Sequence, residues 1–289
     1  FAYKNKARDF VNGNIDDTAS YLDTRADKID NTRVLGQFLS SHDENGFLTS
    51  VNYDLGKQMV AASLQITDKG VPVIYYGEEL AMTGLNGMDN LDANRYDMDF
   101  SRLDNNEYKN VYNHYKKLLN IRKDNSLIFA KGNRKTIAGG SDEKYSAFER
   151  SYNGESIISV LNVDESARSI DLEVPFNEGD KVVDLYSGAE YVVDANKTIK
   201  INVPSMSEGG TSILKAVKAN TDDNTGDNED NNGNGNDNSG VLGDNDITNG
   251  NNTKTSDNIS TTGLIALIVV FVGAVAVIGG VIIKKKKRV

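Results

Sequence analysis

Residues 264–283, LIALIVVFVGAVAVIGGVII, run for twenty positions without a charge and are followed by Lys-Lys-Lys-Lys-Arg. In a bilayer every backbone amide must find its partner within the segment, which leaves a helix as the only solution for a single span. At about 1.5 Å per residue, such a stretch matches a hydrocarbon core of roughly 30 Å. Residues 264–283 are therefore predicted to be one transmembrane helix. The basic tail, residues 284–289, belongs on the cytoplasmic side, which places everything N-terminal to the helix outside the cell. Gly273, Gly279 and Gly280 are ordinary in membrane helices and imply no partner.

The stretch ahead of the helix, residues 219–263, consists of Asn, Asp, Gly, Thr and Ser with almost no large apolar side chain. It cannot bury enough surface to offset the entropy of ordering and reads as a disordered linker. As a flexible coil it would span roughly 35 Å, enough to hold a domain clear of a surface. It ends in Ile259-Ser260-Thr261-Thr262-Gly263. Before an apolar span and a basic tail, this resembles a degenerate Gram-positive sorting signal of the Leu-Pro-x-Thr-Gly kind, with Leu and Pro missing. Two outcomes stay open, a retained membrane anchor or sortase transfer to the cell wall, and both place the protein at the outer cell surface.

The formal charge of −10 divides unevenly: residues 220–263 carry a net −8, the basic tail carries +5, and the remaining body carries −7. An acidic body argues against nucleic acid, whose binders show a positive stripe, and suits a neutral substrate such as a carbohydrate. With no cysteine and two histidines, His42 and His114, the chain has no disulfide framework and no multi-histidine metal centre. It opens at Phe1 with no apolar leader and reads as a piece of a longer polypeptide.

Residues 1–130 alternate strand-like and helix-like stretches. Residues 32–39, TRVLGQFL, form a short apolar run, and residues 56–67 carry apolar side chains at helical spacing. Residues 71–76, VPVIYY, are continuously apolar and closed by Gly77, as a buried parallel strand requires. Residues 111–121 return to a helical period, with Val111, Tyr115, Leu118 and Leu119 on one face. The order strand, helix, strand, helix predicts βαβ units and a parallel sheet. Residues 131–218 change grammar: short strands are expected over 145–150, 156–162, 169–174, 181–186 and 198–203, separated by turn signals. They predict a small antiparallel β-sandwich able to stand alone.

The chemistry concentrates at Phe38-Leu39-Ser40-Ser41-His42-Asp43-Glu44, at the end of the first predicted strand. Strand C-termini are where barrel and open α/β enzymes place catalytic groups. The other features read as structural: His114 lies within a predicted helix, and Glu78 and Glu79 are expected to position the loop after the second strand. Of the thirteen tyrosines, Tyr75 and Tyr76 lie near the mouth, where rings stack on glucose or are simply buried.

Three ordered motifs carry a resemblance. Phe-Leu-x-x-His-Asp is followed by Gly70-Val71-Pro72-Val73-Ile74-Tyr75-Tyr76-Gly77-Glu78-Glu79 and then by Arg95-Tyr96-Asp97-Met98-Asp99-Phe100. Together they resemble the end of the catalytic barrel of glycoside hydrolase family 13, the α-amylase family, over about residues 30–125. The β-rich zone, with its Asp184-Leu185-Tyr186-Ser187-Gly188 turn, is similar to that family's C-terminal domain. The resemblance implies an α/β architecture: residues 1–130 as the last βα units of a TIM (β/α)8 barrel, and residues 131–218 as an all-β sandwich, followed by the linker and the membrane helix.

It also implies site residues. Asp43 matches the catalytic carboxylate that orients the sugar and supports an oxocarbenium-like transition state in a retaining mechanism. His42 matches a histidine that hydrogen-bonds sugar hydroxyls, and Asp92 and Arg95 resemble an Asp/Arg pair near the first subsite. Departures exist: Ser41 replaces the usual Asn, Asp97 stands where a Pro is usual, and Phe100 where a Trp is usual. The motifs that hold the nucleophile and the acid/base residue do not occur, nor does the calcium-ligand region. Two carboxylates are the minimum for this chemistry, so the segment alone is expected to be inactive. No cofactor is expected in this segment, and the resemblance allows calcium in a full-length protein. The implied partner is an α-glucan, starch or maltodextrin; the alternative is a non-catalytic glucan-binding or scaffold protein with an amylase-like barrel.

Overall fold

The chain was analysed as a computed structural model, which describes residues 2–29, 35–85 and 94–217. The linker, sorting-like motif, transmembrane helix and basic tail, together with Asp92, lie outside the described residues. Among the described residues no helix is long and apolar enough to cross a membrane.

Two helices open the chain, α1 (Ala2–Val11) and α2 (Ile15–Asp27), where the sequence reading had assigned no element. Both bury a stripe, Tyr3, Ala7 and Phe10 on one and Ile15, Ala19 and Leu22 on the other. Then come β1 (Gly36–Gln37), α3 (Phe47–Ser50), α4 (Leu55–Thr67), β2 (Val71–Pro72), α5 (Asn106–Asp124) and α6 (Ser126–Lys131). α4 starts where the Asp54 side chain accepts from Lys57 N at 3.0 Å, and α5 starts where Asn105 Oδ1 accepts from Glu107 N at 2.8 Å. Each cap satisfies an amide that the first helical turn leaves unpaired. Met59, Val60, Ala61, Leu64 and Ile66 of α4 are all buried, because α4 is packed by α1, α5 and the β-sheet that follows.

β1 and β2 pair in parallel, Gly36 with Val71 and Gln37 with Pro72. The expected βαβ order is present, but the second strand is shorter than expected and not buried. Its ladder covers Val71–Pro72 alone, with one further bond from Val73 N to Gln37 O at 2.8 Å. Val71 is 46% exposed and Val73 is 48% exposed. A parallel strand is buried when neighbours cover both of its faces and edges, and among the described residues β2 has one strand neighbour. α4 is fastened beneath the pair by reciprocal amides: Gln37 Nε2 donates to Gln65 O, and Gln65 Nε2 donates to Gln37 O at 3.0 Å.

The second zone has eight strands rather than five: β3 (Asn133–Gly140), β4 (Tyr145–Tyr152), β5 (Glu155–Asn162), β6 (Arg168–Glu173), β7 (Lys181–Asp184), β8 (Glu190–Val192), β9 (Thr198–Val203) and β10 (Thr211–Val217). One antiparallel sheet has the order β3-β4-β5-β10-β7-β8, and the pair β6-β9 lies apart from it. Ile158, Val160, Leu172, Ile201 and Leu214 fill the space between the two sheets. Phe148, Ile157, Leu161 and Ile213 instead join the core of α1, α4 and α5. The larger sheet is thus covered on both faces, once by its own sandwich partner and once by the helices of residues 1–131.

Candidate active site

The loop that leaves β1 is fixed from several directions. Ser40 is buried, and its Oγ accepts from Phe47 N at 2.9 Å, drawing the two ends of the loop together. Asn94, fully buried, donates from Nδ2 to Ser41 O at 2.6 Å and to Glu44 O at 2.9 Å, the carbonyls on either side of His42 and Asp43. Lys4 of α1, also buried, pairs with Glu44 at 3.2 Å and bonds Asn45 O. Gly46 N donates to Gly84 O at 2.9 Å. A Cβ at Gly46 would stand 2.1 Å from Thr83 Oγ1, so only glycine allows this approach.

On this support Asp43 projects outward, its side chain 62% exposed, with Oδ1 taking two partners: His42 Nε2 at 3.2 Å and Arg95 Nη2 at 3.1 Å. The structure thus brings together three of the four residues singled out from the sequence. Asp43 and Arg95 are 52 positions apart and meet because Asn94 locks their two loops to each other. Tyr75 hydroxyl donates to Asn94 O at 2.6 Å, and Tyr76 hydroxyl donates to Tyr96 O at 2.8 Å. The rings of Tyr75 and Tyr76 lie with centroids 4.7 Å apart. Burial pushes the Tyr75 phenol up to about 12, aided by Tyr76 and by the charge of Asp43. It stays protonated and keeps donating to the Asn94 carbonyl.

Glu78 lies behind the loop and is 1% exposed. Burial raises its carboxyl to about 7, against the opposing pull of hydrogen bonds from Ser40 and Tyr75 N. A carboxyl sealed in this way touches no substrate and positions Ser40, as the sequence reading expected of it. His114 is likewise structural: Nε2 donates to Met59 O at 2.8 Å, so Nδ1 accepts from the Tyr186 hydroxyl at 2.7 Å. Burial lowers this imidazole to about 4. Sequence reasoning missed Asn94 and Lys4, whose roles rest on bonds across 50 and 40 residues.

One exposed carboxylate steadied by an imidazole and a guanidinium suits a neutral polyol substrate and positive charge developing next to it. Among the described residues no group of three or more His, Cys, Asp or Glu side chains stands close enough to hold a metal ion.

Residues 2–106 match the family described as Alpha amylase, catalytic domain, and residues 140–207 match Maltogenic Amylase, C-terminal domain. The Cyclomaltodextrinase of Thermoanaerobacter pseudethanolicus is 35% identical over 134 residues, 45% of this chain and 21% of that protein. Neopullulanase 2 of Thermoactinomyces vulgaris is 29% identical over 156 residues, 54% of this chain and 26% of that protein. The chain spans about a quarter or less of the length of these curated relatives. The α-amylase from H. orenii superposes with a TM-score of 0.57 at 22% identity, covering 75% of this chain and 48% of that one. The α-amylase from Geobacillus thermoleovorans, solved with acarbose, does so at 0.56 and 18%, covering 70% and 42%. At such identities the likeness is one of fold. A catalytic-domain match followed by a C-terminal-domain match, in the order in which the structure sets parallel pair and β-domain, identifies residues 2–106 and 140–207 with the α-amylase family of glycoside hydrolases.

Proposed function

We propose that the protein is an extracellular α-glucan hydrolase acting with retention, held at the cell membrane or cell wall, and that this chain supplies one side of its active site. The observation that carries the reading is the Asp43 carboxylate, gripped by His42 and Arg95 at the end of a parallel strand pair in an α-amylase-family chain. A fixed anion beside the sugar ring stabilises an oxocarbenium-like transition state more than the ground state, which is the condition for acceleration. His42 and Arg95 would serve as hydrogen-bond donors to the sugar hydroxyls, and Asp92, next to Arg95 in sequence, would act with it.

The nucleophile and the acid/base carboxyl come from elsewhere in the barrel, so the isolated chain releases no reducing sugar. The names of the relatives, cyclomaltodextrinase and neopullulanase, support cyclomaltodextrins and pullulan as substrates beside starch. The surface location rests on the sequence of residues 219–289. A non-catalytic scaffold would have no use for an exposed anion held by an imidazole and a guanidinium, and among the described residues no contact favours that alternative.

The test is digestion of soluble starch, pullulan and a cyclomaltodextrin by the full-length protein, with product analysis, beside the isolated chain. Oligosaccharides of retained α-configuration from the former and none from the latter are expected. Release of reducing sugar by residues 1–263 alone would overturn the division of roles.

A further inference from the structure

Six non-glycine residues among those described hold a positive φ: Asn52, Tyr53, Ala81, Lys144, Asn153 and Lys197. Lys144, Asn153 and Lys197 stand in turns between strands, where a left-handed residue is what the connection requires. Ala81 ends the short helical turn Glu78–Leu80, and Asn52 closes α3, its N–H reaching Thr49 O at 3.3 Å, so both hold helix C-terminal positions where a left-handed residue is common; Tyr53 has no such role. Asn52 and Tyr53, at φ 58° and 60°, follow each other between α3 and α4, and Ala81, at φ 54°, lies beyond β2. A residue with a Cβ adopts this conformation only where its surroundings impose it. At Tyr53 the strain does not serve burial, since the side chain is left 61% exposed.

Tyr53 and Ala81 line the same cleft of about 330 Å³, within the range of small-ligand sites. Leu48 and Leu55 contribute apolar surface, and Tyr108 supplies a second ring. The Arg102 guanidinium lies 3.7 Å over the Tyr108 ring and is fixed by bonds to Leu80 O at 2.7 Å and Ala81 O at 2.8 Å. Glu107 and Thr83 add a carboxylate and a hydroxyl. Thr83 also ties the cleft to α3, into which the Asp43 loop runs, by Thr49 N at 3.1 Å and Thr49 Oγ1 at 2.8 Å.

One anion and one cation at the lining leave no preference for a charged ligand. Exposed aromatic surface together with carboxylate, guanidinium and hydroxyl groups matches a pyranose ring, whose C–H face is apolar and whose rim is all hydroxyl. We propose that this cleft is an accessory site that takes a glucose unit of an α-glucan chain, with Tyr53 as the platform and Glu107 and Arg102 as partners of its hydroxyls. The inference rests on the glucan reading of the Asp43 site and adds a second point of attachment to it. A site beside the Asp43 loop would hold a long chain while another part of that chain is cut, and would matter for polymer rather than for short substrates.

The experiment uses the full-length protein. Binding to granular starch is measured in an Asp43→Asn background that stops turnover, and kcat/KM on maltotriose is measured with Asp43 intact. Tyr53→Ala is expected to weaken granule binding tenfold or more and to leave maltotriose turnover within twofold, and Tyr53→Phe to bind as the parent does. Tyr53→Gly relieves the left-handed backbone, so it is expected to melt no lower than the parent yet to bind as poorly as Tyr53→Ala. Granule binding unchanged in Tyr53→Ala and Tyr53→Gly would overturn the accessory site. A parallel loss of maltotriose turnover would overturn it too, by placing the ring in the central cleft. A parent that neither binds nor cleaves any glucan would withdraw the glucan reading and this site together, whereas a parent that cleaves starch and binds granules independently of Tyr53 would withdraw this site alone.

Discussion

Asn94 decides whether Asp43 has a defined position. Its Nδ2 holds the carbonyls of Ser41 and Glu44, and its own carbonyl is held by Tyr75. Asn94→Ala leaves two partly buried carbonyls without this donor, a cost of about 1 kcal/mol or more in stability. It also frees the loop that carries the carboxylate. In the full-length protein kcat on soluble starch is expected to fall tenfold or more with a smaller change in KM; equal kcat would show that the loop holds its place without this clamp. His42, Asp43 and Arg95, which meet in the structure, could be singled out in the sequence because each stands inside a contiguous motif. Asn94 was not, because nothing beside it in the chain announces which carbonyls fifty residues away it will meet.

Two buried groups set opposing pH dependences. Glu78 is raised from 4.5 to about 7, so the folded state binds the extra proton in that window and its stabilising contribution falls as pH rises through it. His114 is lowered from 6.5 to about 4, so the unfolded state binds the extra proton and stability falls as pH drops from 6.5 towards 4. Each slope is at most about 1.4 kcal/mol per pH unit, and between 4.5 and 6.5 they cancel. Glu78→Gln is expected to unmask the histidine, with stability rising with pH over that interval. His114→Gln should show the reverse. Melting temperatures of the two variants at pH 5 and 6.5 check the signs.

At the scale of elements, Arg150 joins what the sequence kept apart. It projects from β4, is fully buried, and bonds Thr67 O at the end of α4 at 2.9 Å, Phe129 O of α6 at 2.9 Å and Gly132 O at 3.0 Å. These are carbonyls that a helix end leaves without partners. Arg150→Ala is expected to cost about 3–5 kcal/mol, as the loss of one member of a buried polar network does, read from urea unfolding. A cost below 1 kcal/mol would show that water replaces the guanidinium. The helical stripes of α4 and α5 and five of the eight strands were readable from periodicity. β3, which ends in Gly139-Gly140, and β8, three residues long, gave no such signal. β10 pairs with both β5 and β7 at the centre of the sheet, a place that its sequence does not reveal.

At the scale of the whole molecule, the boundary between barrel and sandwich is a boundary of topology and not of core. Phe148, Ile157, Leu161 and Ile213 of the sandwich pack with Phe10, Val60, Leu118 and Phe129 in one cluster. Asp68, at the end of α4, is bridged by Arg25 at 3.7 Å and by Arg134 of β3 at 2.7 Å. The sequence reading left the sandwich able to stand alone. The shared core argues the reverse: a fragment of residues 131–217 is expected to expose that apolar face and to aggregate or bind a hydrophobic dye, and a monomeric fragment with a cooperative melt would refute it. The same logic applies to the exposed Leu35, Val71 and Val73 on the parallel pair, a face that further barrel strands would cover. The most direct test of the central claim is the turnover of soluble starch by the full-length protein and by its Asp43→Asn variant. With Asp43 largely exposed, the variant is expected to melt within a degree or two of the parent while kcat falls by about a hundredfold or more, and a variant that turns over starch at the parent's rate would contradict the assignment of Asp43 to the chemistry.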